Sequence, residues 1–284
     1  MPSPPSVARH RRPTLEWRHL LLAAPALLFM AALFAWPVLR MLSQSVADGT
    51  LDAFERAALD DLYVSVLLDS LEIAGFVTLL CLALAYPVAL WMSRAGRLGL
   101  ALGLFCLMLP FWTSVLVRTY AWMVLLGRNG IVNRTLLEQG IIGAPLPLLH
   151  NLTGVLIGMV HVLLPYLVLP IYAALLRIDP SLDQAAEGLG APRWRIFLRI
   201  TLPLSMPGVI AGCALVFTIS LGFFITPALL GGGQVMMISQ LIEEQVRQFL
   251  DWPFAAALST VLLGVTLLAY WGLMRLSGNP GLAR

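Results

Sequence analysis

Apolar runs of roughly twenty residues recur along almost the whole of this chain, and they constrain its fold more than any other feature. About 20 residues of helix cross a ~30 Å hydrocarbon layer, and in lipid every backbone amide has to be satisfied within its own segment. Six such runs stand at 20–39, 67–92, 98–126, 152–176, 206–225 and 252–274. Only 12% of the residues are charged and 59% are hydrophobic, against about 25% charged in a soluble domain. The expected fold class is all-α, a polytopic membrane protein whose six transmembrane helices form one domain over 19–276. Residues 1–18, rich in Pro, Ser and Arg, are expected to be a disordered basic tail, and 277–284 a short second tail. The first run exceeds the ~7–15 apolar residues of a signal-peptide core and reads as an uncleaved anchor. Pro110 lies in the middle of the third run, where its missing N–H invites a break.

Arginine sets the orientation. All 18 basic residues are Arg and none is Lys. If both termini are inside, twelve of them fall in inner segments and only Arg56, Arg128, Arg134 and Arg247 in outer loops, with Arg40 and Arg118 near span ends, the bias of the positive-inside rule. The first outer loop accordingly collects Asp48, Asp52, Glu55, Asp60 and Asp61. This distribution accounts for the net charge of +3 without nucleic acid. Cys81, Cys106 and Cys213 all fall within spans, which excludes a disulfide framework and leaves them as packing residues.

One polar, Arg-bearing segment, 181–203, interrupts the apolar pattern in the longest inner loop. Ser181 with Gln184 predicts a capping box that opens a helix. Leu182, Ala185, Ala186 and Leu189 give that helix one apolar face, and Gly188 and Gly190 offer places to stop. Pro192 suits the first turn of a second helix, on which Arg195 and Arg199 share a face and Trp194, Phe197 and Leu198 supply apolar surface. The expected product is a helix-turn-helix closed by Leu202, Pro203 and Pro207. Local chemistry alone leaves two roles open: an interfacial anchor, with Arg toward headgroups, or a docking element for a cytoplasmic partner.

The segment resembles the EAA loop of binding-protein-dependent ABC importer permeases. Gln184, Ala185 and Ala186, then Gly190, then Ile200, Leu202 and Pro203 keep the spacing of Glu-Ala-Ala, three residues, Gly, nine residues, Ile-x-Leu-Pro. Gln184 stands where the family usually has Glu, with Asp183 and Glu187 beside it. From the first span to the sixth the chain is most similar to permeases of the spermidine/putrescine type. The stretches that carry this likeness are Pro110-Phe111-Trp112-Thr113-Ser114 with Arg118 and Tyr120, Leu169-Pro170-Ile171-Tyr172 leading to Ile178-Asp179, and Asp251-Trp252-Pro253-Phe254. The resemblance implies a permease subunit forming half of a pore for a small organic solute, a polyamine before an opine, another amine or a phosphonate. It also implies that Gln184, Ala185, Ala186, Glu187, Gly190, Arg193, Ile200, Leu202 and Pro203 couple the pore to a cytoplasmic ABC ATPase dimer. A second permease subunit, a periplasmic solute-binding protein and a multi-pass place in the bacterial inner membrane complete the expectation.

The chemistry the chain lacks agrees with that division of labour. A P-loop needs a Lys for the phosphates, and there is none, so ATP and Mg are expected on the partner ATPase and no cofactor on this chain. No His/Cys/acid set has metal-ligand spacing, and His161, alone in its span, reads as a packed, hydrogen-bonded residue. Without a G-x-S-x-G either, the chain is not expected to be an enzyme. The rival class is an ion-gradient-driven secondary transporter, which calls for mid-span acids that are scarce here. For a possible substrate path the candidates are Asp69, Glu72, Trp112, Arg118, Phe223 and Phe224. Asp69 and Glu72, one turn apart, either form an anionic mouth for a cation or favour a helix N-terminus, with Arg118 a conceivable partner. Trp112, Tyr120 and Trp122 offer ring faces to a cation or belong to an interfacial belt, and Phe223 with Phe224 could gate the path.

Overall fold

A computed structural model describes residues 17–45 and 52–276, and every regular element among them is helical. The expectations for the two tails and for Asp48 fall on 1–16, 277–284 and 46–51, outside the described residues. The helix already starts at Trp17, inside the stretch expected to be tail. It comprises α1 (Trp17–Met30), a π turn (Ala31–Ala35) and α2 (Trp36–Gln44). A short helix, α3 (Asp52–Leu59), precedes the 34-residue α4 (Asp61–Arg94). Asp60 caps α4 by accepting the Leu62 amide at 3.0 Å, so this span begins six residues before its apolar run does.

The third run is broken. Helix α5 (Arg97–Met108) passes into a 3-10 turn (Leu109–Trp112), Thr113 and Ser114 are extended, and α6 (Val115–Leu126) leaves in a new direction. The two arms, with α7 (Ile131–Glu138) continuing the second, are bent by 102°. Asn133 of α7 is fully buried and bonds the Gly127 and Leu146 carbonyls and the Leu146 amide, which ties α7 to the loop that follows it. Next come α8 (Leu152–Leu175), capped by Asn151, and the polar segment with α9 (Pro180–Gly188) and α10 (Arg193–Ile196).

The polar segment differs from the expected closed hairpin. Helix α10 runs through a π turn (Phe197–Thr201) straight into α11 (Leu202–Leu221), so Leu202, Pro203 and Pro207 close nothing and the fifth span is one 29-residue helix from Arg193. A proline inside a helix removes a bond to the carbonyl four residues back. Here the preceding π turn has already shifted the ladder, with the Leu202 amide bonding Phe197 O, and the helix passes Pro203 unbroken. Pro37 stands at the same two-residue spacing after the π turn that joins α1 to α2, where the Trp36 amide bonds Ala31 O.

The loop expected between the last two spans is itself helical: α12 (Ile225–Leu230), α13 (Ile238–Glu244) and a π turn (Gln245–Phe249) lead to α14 (Trp252–Leu276). Among the described residues, five helices are long and apolar enough to cross a membrane, or six if the bent pair is one span.

Helices α4, α8 and α11 make the core, through Val77, Cys81, Ala85 and Ala89, then Met159, Leu163, Leu167 and Ile171, then Val209 and Val216. Small residues set how closely they approach. A Cβ on Gly208 would lie 2.5 Å from the Pro170 carbonyl oxygen, so only glycine lets α11 meet α8 there. Cys81 and Cys213 take part in this packing, whereas Cys106 is exposed, contrary to expectation. A second cluster joins Tyr63 and Val66 of α4, Ile238 and Leu241 of α13, and Phe254 and Leu258 of α14. Arg56 seals it, 4.3 Å above the Phe254 ring and 3.8 Å from Asp251, whose carboxylate also caps α14.

Candidate coupling surface and translocation path

Helix α9 is built by its two ends. Asp179 caps it, not Ser181: Asp179 Oδ1 accepts the Ser181 amide at 2.9 Å, and Pro180 takes the first helical position. Aspartate followed by proline is a start signal in its own right, since the proline lacks only an N–H that would be orphaned there anyway. The bonds from Ser181 hold the Asp179 carboxyl below the usual carboxylate range. At the other end Gly190 has φ +78°, its amide bonds Glu187 O at 2.9 Å, and the Ala191 amide bonds Ala186 O at 3.0 Å. That double bond with a left-handed residue between is a Schellman ending, which is what the glycine is for.

The apolar face expected on α9 is present but uncovered. Leu189 is 89% exposed, Leu182 43%, and Gln184, Ala185 and Glu187 are exposed, while Ala186 and Asp183 turn inward. Arg193, Arg195, Trp194, Leu198 and Pro203 are also exposed. Of the three apolar residues expected on α10, only Phe197 packs inward, edge-on to Tyr86 of α4. Behind this surface α9 is tied to α4 by Asp183 and Arg94, 3.9 Å apart, and the Tyr86 and Ser205 hydroxyls bond at 2.8 Å. Ile200, in the π turn, and Leu202, the first residue of α11, are half-buried. Sequence reasoning counted Arg94 only for topology; its place just after the apolar run, as the last residue of α4, was the available signal.

Asp69 and Glu72 do share a face. They line a cavity of 230 Å³ with Ile73, Phe76, Leu152, Gln234, Val235 and Met236. The capping alternative fails, because α4 begins at Asp61, eight residues before Asp69. Arg118 does not pair with them, and among the described residues no carboxylate lies within 4.0 Å of it. Gln234 and Met236 were not singled out beforehand; the glycines before them signalled only a turn. Ser70, on the buried side of α4, accepts the Ile238 amide at 2.8 Å and fixes that turn against the helix.

The remaining candidates gather elsewhere. Trp112 ends the 3-10 turn with 91% of its surface exposed. Arg118 sits one turn into α6, and on the same helix Thr119 bonds Thr226 of α12 at 3.2 Å. His161 is hydrogen-bonded, accepting from the half-buried Trp122 indole at 3.2 Å, so the Trp122 ring packs edge-on to the His161 ring of α8. Phe223 packs against the core and Phe224 is exposed, both in the turn between α11 and α12. Among the described residues no cluster of three His, Cys, Asp or Glu could hold a metal ion.

Residues 19–273 match the family described as the binding-protein-dependent transport system inner membrane component. The spermidine/putrescine transport system permease protein PotB of Escherichia coli (strain K12) is 41% identical over 230 residues, covering 80% of this chain and 83% of PotB. PotB of Haemophilus influenzae is 40% identical over 213 residues, 74% of each chain. In fold, the chain resembles one chain of a bacterial ABC transporter for import of the acidic polysaccharide alginate, with a TM-score of 0.72 over 94% of this chain and 96% of that one, at 17% identity.

Proposed function

The chain belongs to the binding-protein-dependent transport system inner membrane components, and on that premise we propose that it is a permease subunit of an ATP-driven polyamine importer. The observation that carries the substrate class is the 41% identity to a spermidine/putrescine permease over four-fifths of the chain. In this reading the bent pair is one span, six spans cross the inner membrane, and both termini face the cytoplasm, as the arginine distribution requires. A second permease subunit completes the pore, a periplasmic binding protein delivers the solute, and ATP and Mg bind a separate ATPase dimer.

The coupling surface is α9 with the start of the fifth span. Gln184, Ala185, Glu187 and Arg193 face the ATPase directly, and Ala186 sets the helix on its seat. Gly190 ends it in the right direction, while Ile200, Leu202 and Pro203 carry the motion into α11. A neutral Gln184 donates and accepts hydrogen bonds where a Glu would offer charge, so docking here rests on shape and on exposed Leu182 and Leu189. Asp69 and Glu72 supply negative potential at the outer mouth and raise the local concentration of a diammonium solute. Trp112, Arg118, Phe223 and Phe224 lie further along the route.

The test is reconstitution of the chain with its second permease, ATPase and binding protein in proteoliposomes. ATP-dependent uptake of putrescine or spermidine is expected. Uptake by the chain without any ATPase, driven by an ion gradient, would overturn the proposal.

A further inference from the structure

The second half of the polar segment carries two arginines, Arg195 and Arg199, for which coupling to the ATPase has no use, and the burial pattern fixes the side they face. Ile196 and Thr201 are buried and Phe197 packs edge-on to Tyr86 of α4, so the chain itself closes that side of the helix. Trp194, Arg195, Leu198 and Arg199 lie on the other side and are all exposed. Their spacing of i, i+1, i+4 and i+5 makes one strip along a helix, two arginines beside two apolar side chains. The Arg195 guanidinium stands 5.3 Å from the Trp194 ring centroid. Among the described residues no carboxylate comes within 4.0 Å of Arg195 or Arg199.

The level of the strip follows from the continuity of the helix. Helix α11 holds no charged residue, and its 20 residues rise about 30 Å, the thickness of the hydrocarbon layer. Arg199 precedes Leu202 by one turn, so its Cα lies about 4.5 Å outside the hydrocarbon, within the ~5–8 Å of headgroups on that side. Arg195, about 10 Å out, stands at the water edge of that layer and within a Debye length of ~8 Å from its charges. Helical side chains lean toward the N-terminus, which here carries both guanidinium groups away from the hydrocarbon. A soluble subunit does not enter the headgroup layer, whereas lipid phosphates are already there. The exposed Trp194 indole suits the same interface, and Met206, exposed within the span, offers apolar surface above it.

We infer that the strip of Trp194, Arg195, Leu198 and Arg199 binds an anionic phospholipid of the cytoplasmic leaflet. Arg199 meets the phosphate, Arg195 adds positive potential at the water edge, and Leu198 and Met206 follow the acyl chain. That leaflet bears the negative surface potential that draws basic side chains. The inference rests on the reading that puts this end of the fifth span in the cytoplasm. Lipid then holds the start of the span at a fixed depth, while α9, on the far side of Gly190, stays free to dock.

The test uses Leu198→p-benzoylphenylalanine in the complete transporter, reconstituted in vesicles of phosphatidylethanolamine with phosphatidylglycerol as the one anionic lipid. After irradiation, mass spectrometry identifies what is attached to this chain. Phosphatidylglycerol adducts are expected above the share of that lipid in the bilayer. Adding Arg199→Gln should lower the ratio of phosphatidylglycerol to phosphatidylethanolamine adducts about 5-fold, Arg195→Gln should lower it less, and Arg199→Lys should keep most of it. An adduct to the ATPase, or a lipid ratio equal to that of the bilayer and unmoved by Arg199→Gln, overturns the lipid site and leaves the import reading standing. The same vesicles are assayed for ATP-driven putrescine uptake, and its absence from the unsubstituted transporter removes the import reading together with the leaflet assignment.

Discussion

Replacing Gly190 tests the coupling surface most sharply, because the structure separates two ways in which a side chain there could do harm. Gly190 holds φ +78°, and a Cβ built on it meets nothing within 4 Å. Within this chain a substitution therefore carries no steric cost, only the cost of placing an L-residue in the left-handed region, about 1–2 kcal/mol. At tenfold per ~1.4 kcal/mol, that lowers the population of the Schellman-ended α9 by about 5- to 30-fold. Asn and Asp adopt the left-handed conformation more readily than Ala, and β-branched Val least of all. The expected order of ATPase attachment and ATP-driven uptake is Gly, Asn, Asp, Ala, Val, while thermal unfolding of the span core stays at the wild-type temperature. Attachment is measured by co-purification of the ATPase with the detergent-solubilised permease, and uptake in proteoliposomes. Two results would refute the reasoning: full coupling with Gly190→Ala, or an order that follows side-chain volume, with Ala mildest. The second would mean that contact with the ATPase, not the backbone of α9, demands the glycine.

Three further expectations concern other parts of the molecule. Gly208→Ala should cost about 1–3 kcal/mol in detergent melts, because its Cβ would meet the Pro170 carbonyl at 2.5 Å, whereas Gly264→Ala, with nothing within 4 Å, should be neutral; equal effects would contradict the α8–α11 contact. Asp179 titrates below the ordinary carboxylate value of ~3.9, so the stability it gives α9 is present above that value and lost as pH falls through its lower folded pKa. Amide exchange at Ser181 and Leu182 should be flat in this respect from pH ~8 to ~5 and rise below ~4. Asp179→Asn should keep the cap without the pH dependence, and unchanged protection in Asp179→Ala would refute the cap. Arg56→Ala should lose about 1 kcal/mol of stability, chiefly from the Phe254 ring because the half-exposed pair with Asp251 is screened by solvent; an unshifted melt would count against the outer seal.

The membrane spans and the end of α9 were legible in the sequence because both are local. Twenty apolar residues must be helix in lipid whatever surrounds them, and Gly190 stops α9 through bonds to residues three to five positions away. Asp179-Pro180 is equally local, and the Ser181–Gln184 capping box places the start of α9 two residues too late. Pro110 announced a break, but its place, at Thr113 and Ser114, follows from the 3-10 turn that the proline sets up and from the seat Phe111 finds on Tyr166. The continuation of α10 into α11 was not legible at all, since a proline reads as a stop until a π turn has moved the ladder past it.

Burial was decided only by tertiary structure. Composition could not say that Leu182 and Leu189 stay uncovered while Phe197, in the same polar segment, finds Tyr86, because that depends on what α4 presents 111 residues earlier in the chain. Nor could it join Asp69 and Glu72 to Gln234 and Met236, or leave Trp112 exposed at the break between α5 and α6. By itself the sequence determined a helical membrane protein with one polar, arginine-bearing segment between two of its spans. The packing of α4, α8 and α11 decided which polar groups are spent inside the chain and which remain to meet a solute or another protein, for a side chain's hydropathy is its own but its exposure belongs to its neighbours.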